Sequence, residues 1–171
     1  GCTTDALELK TASSGDPVLG LKIDANGHVT MPKQSAFSAK LSSAQNNIAV
    51  DTLVTVNYAT QVFDQNDDYD ESTFIFTAPV TGKYQLNVDL LLQNIDAASN
   101  YFQTQLTTSN RTYYHTLDPD FGQDNQYFNL NVNVLADMDA NDTAKVVIYQ
   151  SGGTQQTDIN SVSTFTGFLA C

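Results

Sequence analysis

DQNDDYDESTFIFTAPVTGKYQLNV, residues 64–88, is the stretch from which the rest of the chain is read. An acidic, Asn-containing loop runs into Phe74-Ile75-Phe76, a short apolar run of the buried type, then a Pro-containing turn closed by Gly82, then a long alternating run. In that run Tyr84, Leu86, Val88, Leu90 and Leu92 fall on one face, and Lys83, Gln85, Asn87, Asp89 and Gln93 on the other. Period two with one apolar face predicts a strand with a core side and a wet side. Leu91 interrupts the wet side, which points to a contact with another chain there.

Outward from this stretch the same texture repeats. AFSAKL (36–41), LVTVNYATQVF (53–63), YFQTQLTTSNRTYYHTL (101–117) with a turn at Ser109-Asn110, FNLNVNV (128–134), AKVVIYQ (144–150) and VSTFTGFLAC (162–171) are strand-like. In FNLNVNV, Phe128, Leu130, Val132 and Val134 point inward and Asn129, Asn131 and Asn133 outward. Loops rich in Asp, Asn, Gly and Ser separate these runs, and none shows helical periodicity. About nine or ten short, evenly spaced strands predict a sandwich or barrel. Residues 1–34 differ: LELKTA and VLGLKI are short alternating runs, and Asn26-Gly27 predicts a tight hairpin turn. This segment has too few apolar residues to bury much surface alone, so it reads as a β-rich stem or docking segment. The head spans 35–171.

Composition narrows the function classes. Among 171 residues, nineteen Asp and Glu oppose seven Lys and Arg, giving a net charge of −12. Nucleic-acid binding relies on neutralising phosphates with basic side chains, so it is excluded as the partner class. No run approaches the ~18 apolar residues of a membrane span, so no transmembrane segment is expected, and no segment reads as a signal peptide. Gly1 in place of Met points to processing or to a longer parent chain. The cysteines, Cys2 and Cys171, lie at opposite ends without a CxxC pair, which excludes zinc-ribbon and thioredoxin-type motifs. They could form a disulfide between the termini, link neighbouring subunits, or stay unpaired.

Tyr58, Asp64, Tyr69, Phe76, Gly82 and Tyr84 resemble, in order and spacing, the motif of the complement-1q globular head domain, a branch of the tumour-necrosis-factor-like superfamily. Phe76-Thr77-Ala78-Pro79-Val80 ending at Gly82 is similar to the family's Phe-Thr-Ala-Pro-Val-Pro-Gly turn. AFSAKL resembles its first strand, and Phe165-Thr166-Gly167-Phe168-Leu169 its last. Tyr58 stands where the family has Phe, and Leu86 and Val88 replace aromatics, so the chain is a divergent member. The resemblance implies an all-β, ten-stranded antiparallel jelly-roll sandwich that assembles as a homotrimer. The motif aromatics are then structural markers of the core rather than a ligand site. The stem lacks a collagen-like Gly-X-Y repeat. LKIDANGHVTMP (21–32) instead resembles the β-rich segments that precede receptor-binding heads in bacteriophage tail fibres.

Catalysis has little support. The two histidines, His28 and His115, have no sequence partner suggestive of a nucleophile triad, and no Gly-x-Ser-x-Gly elbow occurs. No cofactor is required. Ca²⁺ is the candidate metal, because three acidic loops offer the oxygens a hard cation takes. These are Asp64, Asp67, Asp68, Asp70 and Glu71; Asp118, Asp120, Gln123, Asp124 and Asn125; and Asp137, Asp139, Asn141 and Asp142. The third lacks an EF-hand's Gly and carries Ile148 where the bidentate Glu belongs, so that motif is rejected. The second matches the region where calcium-binding family members place ligands near the trimer apex, making Asp118, Asp120 and Asp124 the candidate ligands. Turn chemistry is the competing explanation for all three loops. Asn110-Arg-Thr and Asn141-Asp-Thr are glycosylation sequons, relevant only in a eukaryotic secretory setting.

The expected function is a non-enzymatic trimeric head on a short stem, extracellular or on a virion surface. The leading expectation is a phage fibre tip or head-fibre domain for host adhesion and receptor binding, its partner a host surface glycan or protein receptor. The alternatives are a capsid-decoration or extracellular filament subunit docking onto neighbouring virion or filament subunits, and a secreted complement-1q-like binding module.

Overall fold

The computed structural model describes residues 6–12 and 14–171. Cys2 lies outside the described residues, and the exposed Cys171 ends the chain. Among the described residues fifteen strands run in order: β1 (Leu7–Thr11), β2 (Val18–Ile23), β3 (Val29–Thr30), β4 (Ala36–Lys40), β5 (Val54–Thr55), β6 (Thr60–Asp64), β7 (Tyr69–Asp70), β8 (Ile75–Thr77), β9 (Gly82–Ile95), β10 (Tyr101–Thr108), β11 (Thr112–Leu117), β12 (Asn125–Met138), β13 (Thr143–Ser151), β14 (Asp158–Ile159) and β15 (Thr164–Leu169). No helix occurs among the described residues, so none could cross a membrane.

The head is two antiparallel sheets face to face. One runs β12-β9-β15-β4-β6, with β14 added on β9; the other runs β11-β10-β13-β8-β7, with β5 added on β13. Five strands in each path make the ten of a jelly roll. The longest pairing, β9 with β12, reaches from Gly82↔Met138 to Ile95↔Asn125. Its inward residues are those the alternation assigns: Tyr84, Leu86, Val88, Leu90 and Leu92 are buried, as are Leu130 and Val132 opposite them.

The core is aromatic at one end. Phe37 stacks on Tyr69 (centroids 5.1 Å apart) and on Phe76 (4.8 Å), and meets Phe165 edge-on at 5.0 Å. Tyr58 and Tyr84 complete the cluster. Two of the buried phenols are satisfied through the backbone, Tyr69 donating to the Tyr58 carbonyl at 3.0 Å and Tyr84 to that of Val80 at 2.7 Å, while the Tyr58 hydroxyl is buried without a partner. The second bond closes the Pro-containing turn. Burial raises the Tyr58 and Tyr69 phenols well above their ordinary range. Gly82 begins β9 against the chain's end, where a Cβ would meet the Cys171 carbonyl at 2.6 Å. Asp64 accepts the Tyr69 N–H at 2.7 Å, fixing the loop between β6 and β7. The spaced motif is therefore a packing unit: aromatics for the core, an Asx acceptor for the turn, and a glycine where two chain segments touch.

Gly167 shows the same close fit. A Cβ there would lie 2.6 Å from Leu86 Cδ2 and 2.7 Å from Phe37 Cε1. Gly167→Ala is expected to destabilise the head by about 1–3 kcal/mol through overpacking, read as a lower urea midpoint with unchanged slope.

Two local expectations are corrected. LVTVNYATQVF is not one strand: β5 pairs with β13 in one sheet and β6 with β4 in the other. The chain crosses between the layers at residues 56–59, where Tyr58 N–H bonds the Val56 carbonyl and Ala59 N–H that of Asn57. A jelly roll must change layers somewhere, and this crossing drops Tyr58 into the core. Phe74 is not part of a buried run; it is half-buried with φ of 63°, capping the turn before β8 while Phe76 alone is fully inside. The tight hairpin turn at Asn26-Gly27 joins β2 to β3. Gly27 N–H bonds the Asp24 carbonyl, only Gly27 of the pair has positive φ (84°), and Asp24 N–H reaches the His28 carbonyl. That is a three-residue loop built on a type I turn with an αL glycine. The Asp24 side chain selects it by accepting the Asn26 and His28 N–H groups at 2.8 and 2.9 Å, with His28 Nδ1 a further 2.9 Å away. The His28 side chain and these N–H groups hold the Asp24 carboxyl below its ordinary range.

Strands β1, β2 and β3 form a separate three-stranded sheet. Its register places Leu7, Ile23 and Val29 in one row and Leu9 beside Leu21 in the next, so one face is apolar. On the other face Glu8 pairs with Lys10 at 3.1 Å and with Lys22 at 4.0 Å. The sheet joins the head where Gln65 Nε2 donates to the Met31 carbonyl (2.8 Å) and Gln34 Nε2 to that of Leu169 (2.6 Å).

Candidate functional site

Three loops meet at one end of the sandwich: 96–100 between β9 and β10, 118–124 between β11 and β12, and 152–157 between β13 and β14. Asp96 holds two of them together. Its side chain is 2% exposed, and it accepts N–H groups from Ala98 (2.8 Å), Gln155 (2.7 Å) and Thr154. Burial pushes this carboxyl up, but the N–H donors of Gln155, Ala98 and Thr154 outweigh it and leave the group below its ordinary range. Gln150, fully buried beneath, donates to the Ser99 hydroxyl (3.1 Å) and the Gln155 carbonyl (2.7 Å) and accepts the Thr157 N–H (3.1 Å). Asp124 ties in the third loop, one oxygen accepting from Ala97 N–H (2.9 Å) and the other from Gln155 Nε2 (3.2 Å).

The welded loops frame a cleft of about 200 Å³ lined by Asn94, Asp124, Asn125, Gln126 and Gln155. It adjoins a shallower depression of about 280 Å³, lined by residues 121–125, that shares Asp124 and Asn125. Phe121 lies exposed in that depression with its ring against Phe128, centroids 5.8 Å apart. Gln126 Nε2 donates to Asn94 Oδ1 (3.0 Å), and Asn94 Nδ2 to Asp158 Oδ2 (2.8 Å), so the amide groups are pre-oriented. No Lys or Arg occurs in residues 84–110, 112–144 or 146–171, so all three loops lack a cation.

The candidate calcium ligands fare differently. Among the described residues no three His, Cys, Asp or Glu side chains are arranged to hold a metal. Asp118, Asp120 and Asp124 share a loop without converging on one point, and Asp124 is engaged by two donors. Within one chain these three carboxylates do not gather into a metal-holding group. The other acidic loops are turn devices. Asp70 accepts the Ser72 N–H and hydroxyl, which hold its carboxyl at about 2, and Asp142 accepts the Asp139 N–H and Asn110 Nδ2. His115 bridges the seam between the sheets, its Nδ1 2.9 Å from the Asn131 carbonyl on β12. Sequence reasoning missed Asn94, Asp96 and Gln155. Their only signal is an abundance of amides, which does not say which loops meet.

With the geometry established, comparison with known proteins is decisive. The sequence profile of the C1q domain matches residues 36–170. The chain belongs to the C1q domain family. The C1q fold is shared with solved structures of low identity. The globular domain of zebrafish complement 1qA aligns with a TM-score of 0.58 at 17% identity, covering 81% of this chain and 98% of that one. Murine APRIL aligns with a TM-score of 0.57 at 14% identity, covering 80% and 98%. Among curated proteins, no sequence match is found. The C1q match begins at the first residue of β4, beyond the three-stranded N-terminal sheet.

Proposed function

We propose that this C1q-domain chain is a non-enzymatic, homotrimeric binding module that works outside the cell, with recognition on the loops of its head and the N-terminal sheet as its stem. The carrying observation is apolar surface left uncovered in a single chain, on head and stem alike. On the outer face of the β12-β9-β15-β4-β6 sheet, Leu135 (58% exposed) and Phe168 flank Gln85 in one row, with Tyr127 and Phe63 on the same sheet. A bulge in β6 turns both Val62 and Phe63 outward. In the stem, Leu7 (59% exposed), Leu9 and Val29 share the apolar face opposite the Glu8–Lys22 pair. Copies related by a three-fold axis would cover both surfaces, each half-exposed Leu or Val contributing about 1 kcal/mol on burial. Three-fold repetition then turns weak single contacts into avidity. His28 serves a stem turn and His115 a backbone seam.

Within this reading, the hairpin at Ile23–Val29 and the stem it belongs to favour the phage fibre-tip or head-fibre role, with adhesion to a host surface. The exposed Cys171 favours the alternative of a stapled decoration or filament subunit. Light scattering at micromolar concentration is expected to give the mass of three chains, and Phe168→Glu or Leu135→Glu to shift it toward one. A wild-type chain that stays monomeric sinks the proposal. Ladders on non-reducing gels that reductant abolishes would select the stapled alternative.

A further inference from the structure

We propose that the amide-lined cleft at the loop end binds a neutral saccharide, its hydroxyls held by Asp124, Asn125, Gln126 and Gln155 and its apolar C–H face laid against Phe121. The inference rests on the reading of the head as a binding module and names the ligand class for it.

The lining decides the chemistry. Sugar hydroxyls both donate and accept, and adjacent pairs of them match side chains that present a donor and an acceptor in one plane. Asn and Gln offer two N–H donors and a carbonyl, and the Asp124 carboxylate keeps two of its four lone-pair sites beyond those taken by Ala97 N–H and Gln155 Nε2. The cleft brings four such amides, Asn94, Asn125, Gln126 and Gln155, together with Asp124. Gln155 and Asp124 are bonded to each other at 3.2 Å, and Gln126 to Asn94 at 3.0 Å, so the groups are positioned before a ligand arrives. Preorganisation of this kind reduces the ordering cost of binding. The welded Asp96 beneath keeps the Gln155 backbone in place.

Other ligand classes fit less well. An anion meets no Lys or Arg in the three loops, but does meet Asp118, Asp120 and Asp124 in a chain of net charge −12. A purely apolar ligand would strip water from amides and a carboxylate without replacing their hydrogen bonds. A metal finds no set of three carboxylates among the described residues. A folded protein partner is best anchored by Trp, Tyr or Arg in a broad patch, whereas this feature is concave and the size of one or two sugar rings. Phe121 supplies the one large apolar surface, and the electron-rich face of its ring suits polarised C–H groups.

The test is titration of the full chain with neutral oligosaccharides of glucose, galactose, mannose and N-acetylglucosamine, and with their sialylated and sulphated counterparts, followed by calorimetry and amide resonances. Saturable binding of at least one neutral sugar is expected. Asn125→Ala and Phe121→Ala should each weaken it by about tenfold or more while melting temperature and mass stay unchanged. Lys83→Ala, at the opposite end, should leave it intact. No binding by a chain that is trimeric overturns this inference alone, whereas a monomer overturns the reading beneath it. Binding restricted to the anionic sugars, or indifferent to both cleft substitutions, overturns it as well. So does Ca²⁺ moving the Asn125 and Gln126 resonances when sugars do not.

Discussion

Phe37→Ala is expected to lower the unfolding free energy of the head by about 3–5 kcal/mol, the largest effect of any single truncation in the core. Phe37 touches three of the five other rings of the aromatic cluster: it stacks on Tyr69 and Phe76 and meets Phe165 edge-on, and Phe76 links it to Tyr84. Its removal opens a cavity between both sheets, because Phe37 and Phe165 lie on the β4–β15 pair while Tyr69 and Phe76 lie on β7 and β8. The neighbours cannot collapse into the space easily. Tyr69 is tethered through its hydroxyl to the Tyr58 carbonyl, and Gly167 already places backbone against Phe37. Urea unfolding at fixed protein concentration, so that oligomerisation does not vary between samples, should show the loss as a lower midpoint. A midpoint shift equivalent to under about 1 kcal/mol would mean that the aromatics do not form the tight unit described.

Asp96→Ala is expected to cost about 3 kcal/mol or more, because it leaves the N–H groups of Ala98, Thr154 and Gln155 without their acceptor at a site closed to solvent. The damage should be local first. Hydrogen exchange is expected to rise at residues 152–157 and 96–100, while the β9–β12 ladder stays protected. Acid should imitate the substitution. The Asp96 carboxyl is held below its ordinary range in the fold, so its contribution is complete above the unfolded value of about 3.9. It is lost as pH falls from there through the lower folded value. The wild-type chain should therefore show an acid-dependent loosening of these loops that Asp96→Ala lacks. Equal acid sensitivity in both chains would assign the effect to other carboxylates.

Most of the sandwich was legible because strand signals are local. Tyr84 through Leu92 and Phe128 through Val134 alternate with period two, and each inward residue is buried or partly buried as the pattern requires. The turn at Ser109-Asn110 also follows from its neighbours alone, with Thr108 N–H bonded to the Arg111 carbonyl. Residues 53–63 misled for a corresponding reason. Their β-compatible composition is continuous, yet nothing within the segment records that Val54 pairs with Ile148 and Gln61 with Ala39 in the opposite sheet. The Asn26-Gly27 turn was legible as a hairpin, while its three-residue length is set by the Asp24 side chain, which takes the Asn26 and His28 N–H groups.

The sequence alone determined the family, through the stretch 64–88 with Tyr58 and the first and last strands: the aromatic, Asx and glycine spacing is a string of local requirements, each imposed by a turn or a buried face, and such requirements are written in nearby residues. Only the tertiary structure decided where a ligand could sit. Asp96 meets Gln155 across 59 positions and Asp124 meets Ala97 across 27, and the cleft exists because those distant loops are welded. A buried carboxylate with N–H donors from two loops settles that meeting, and no local pattern at Asp96, Asp124 or Gln155 encodes it.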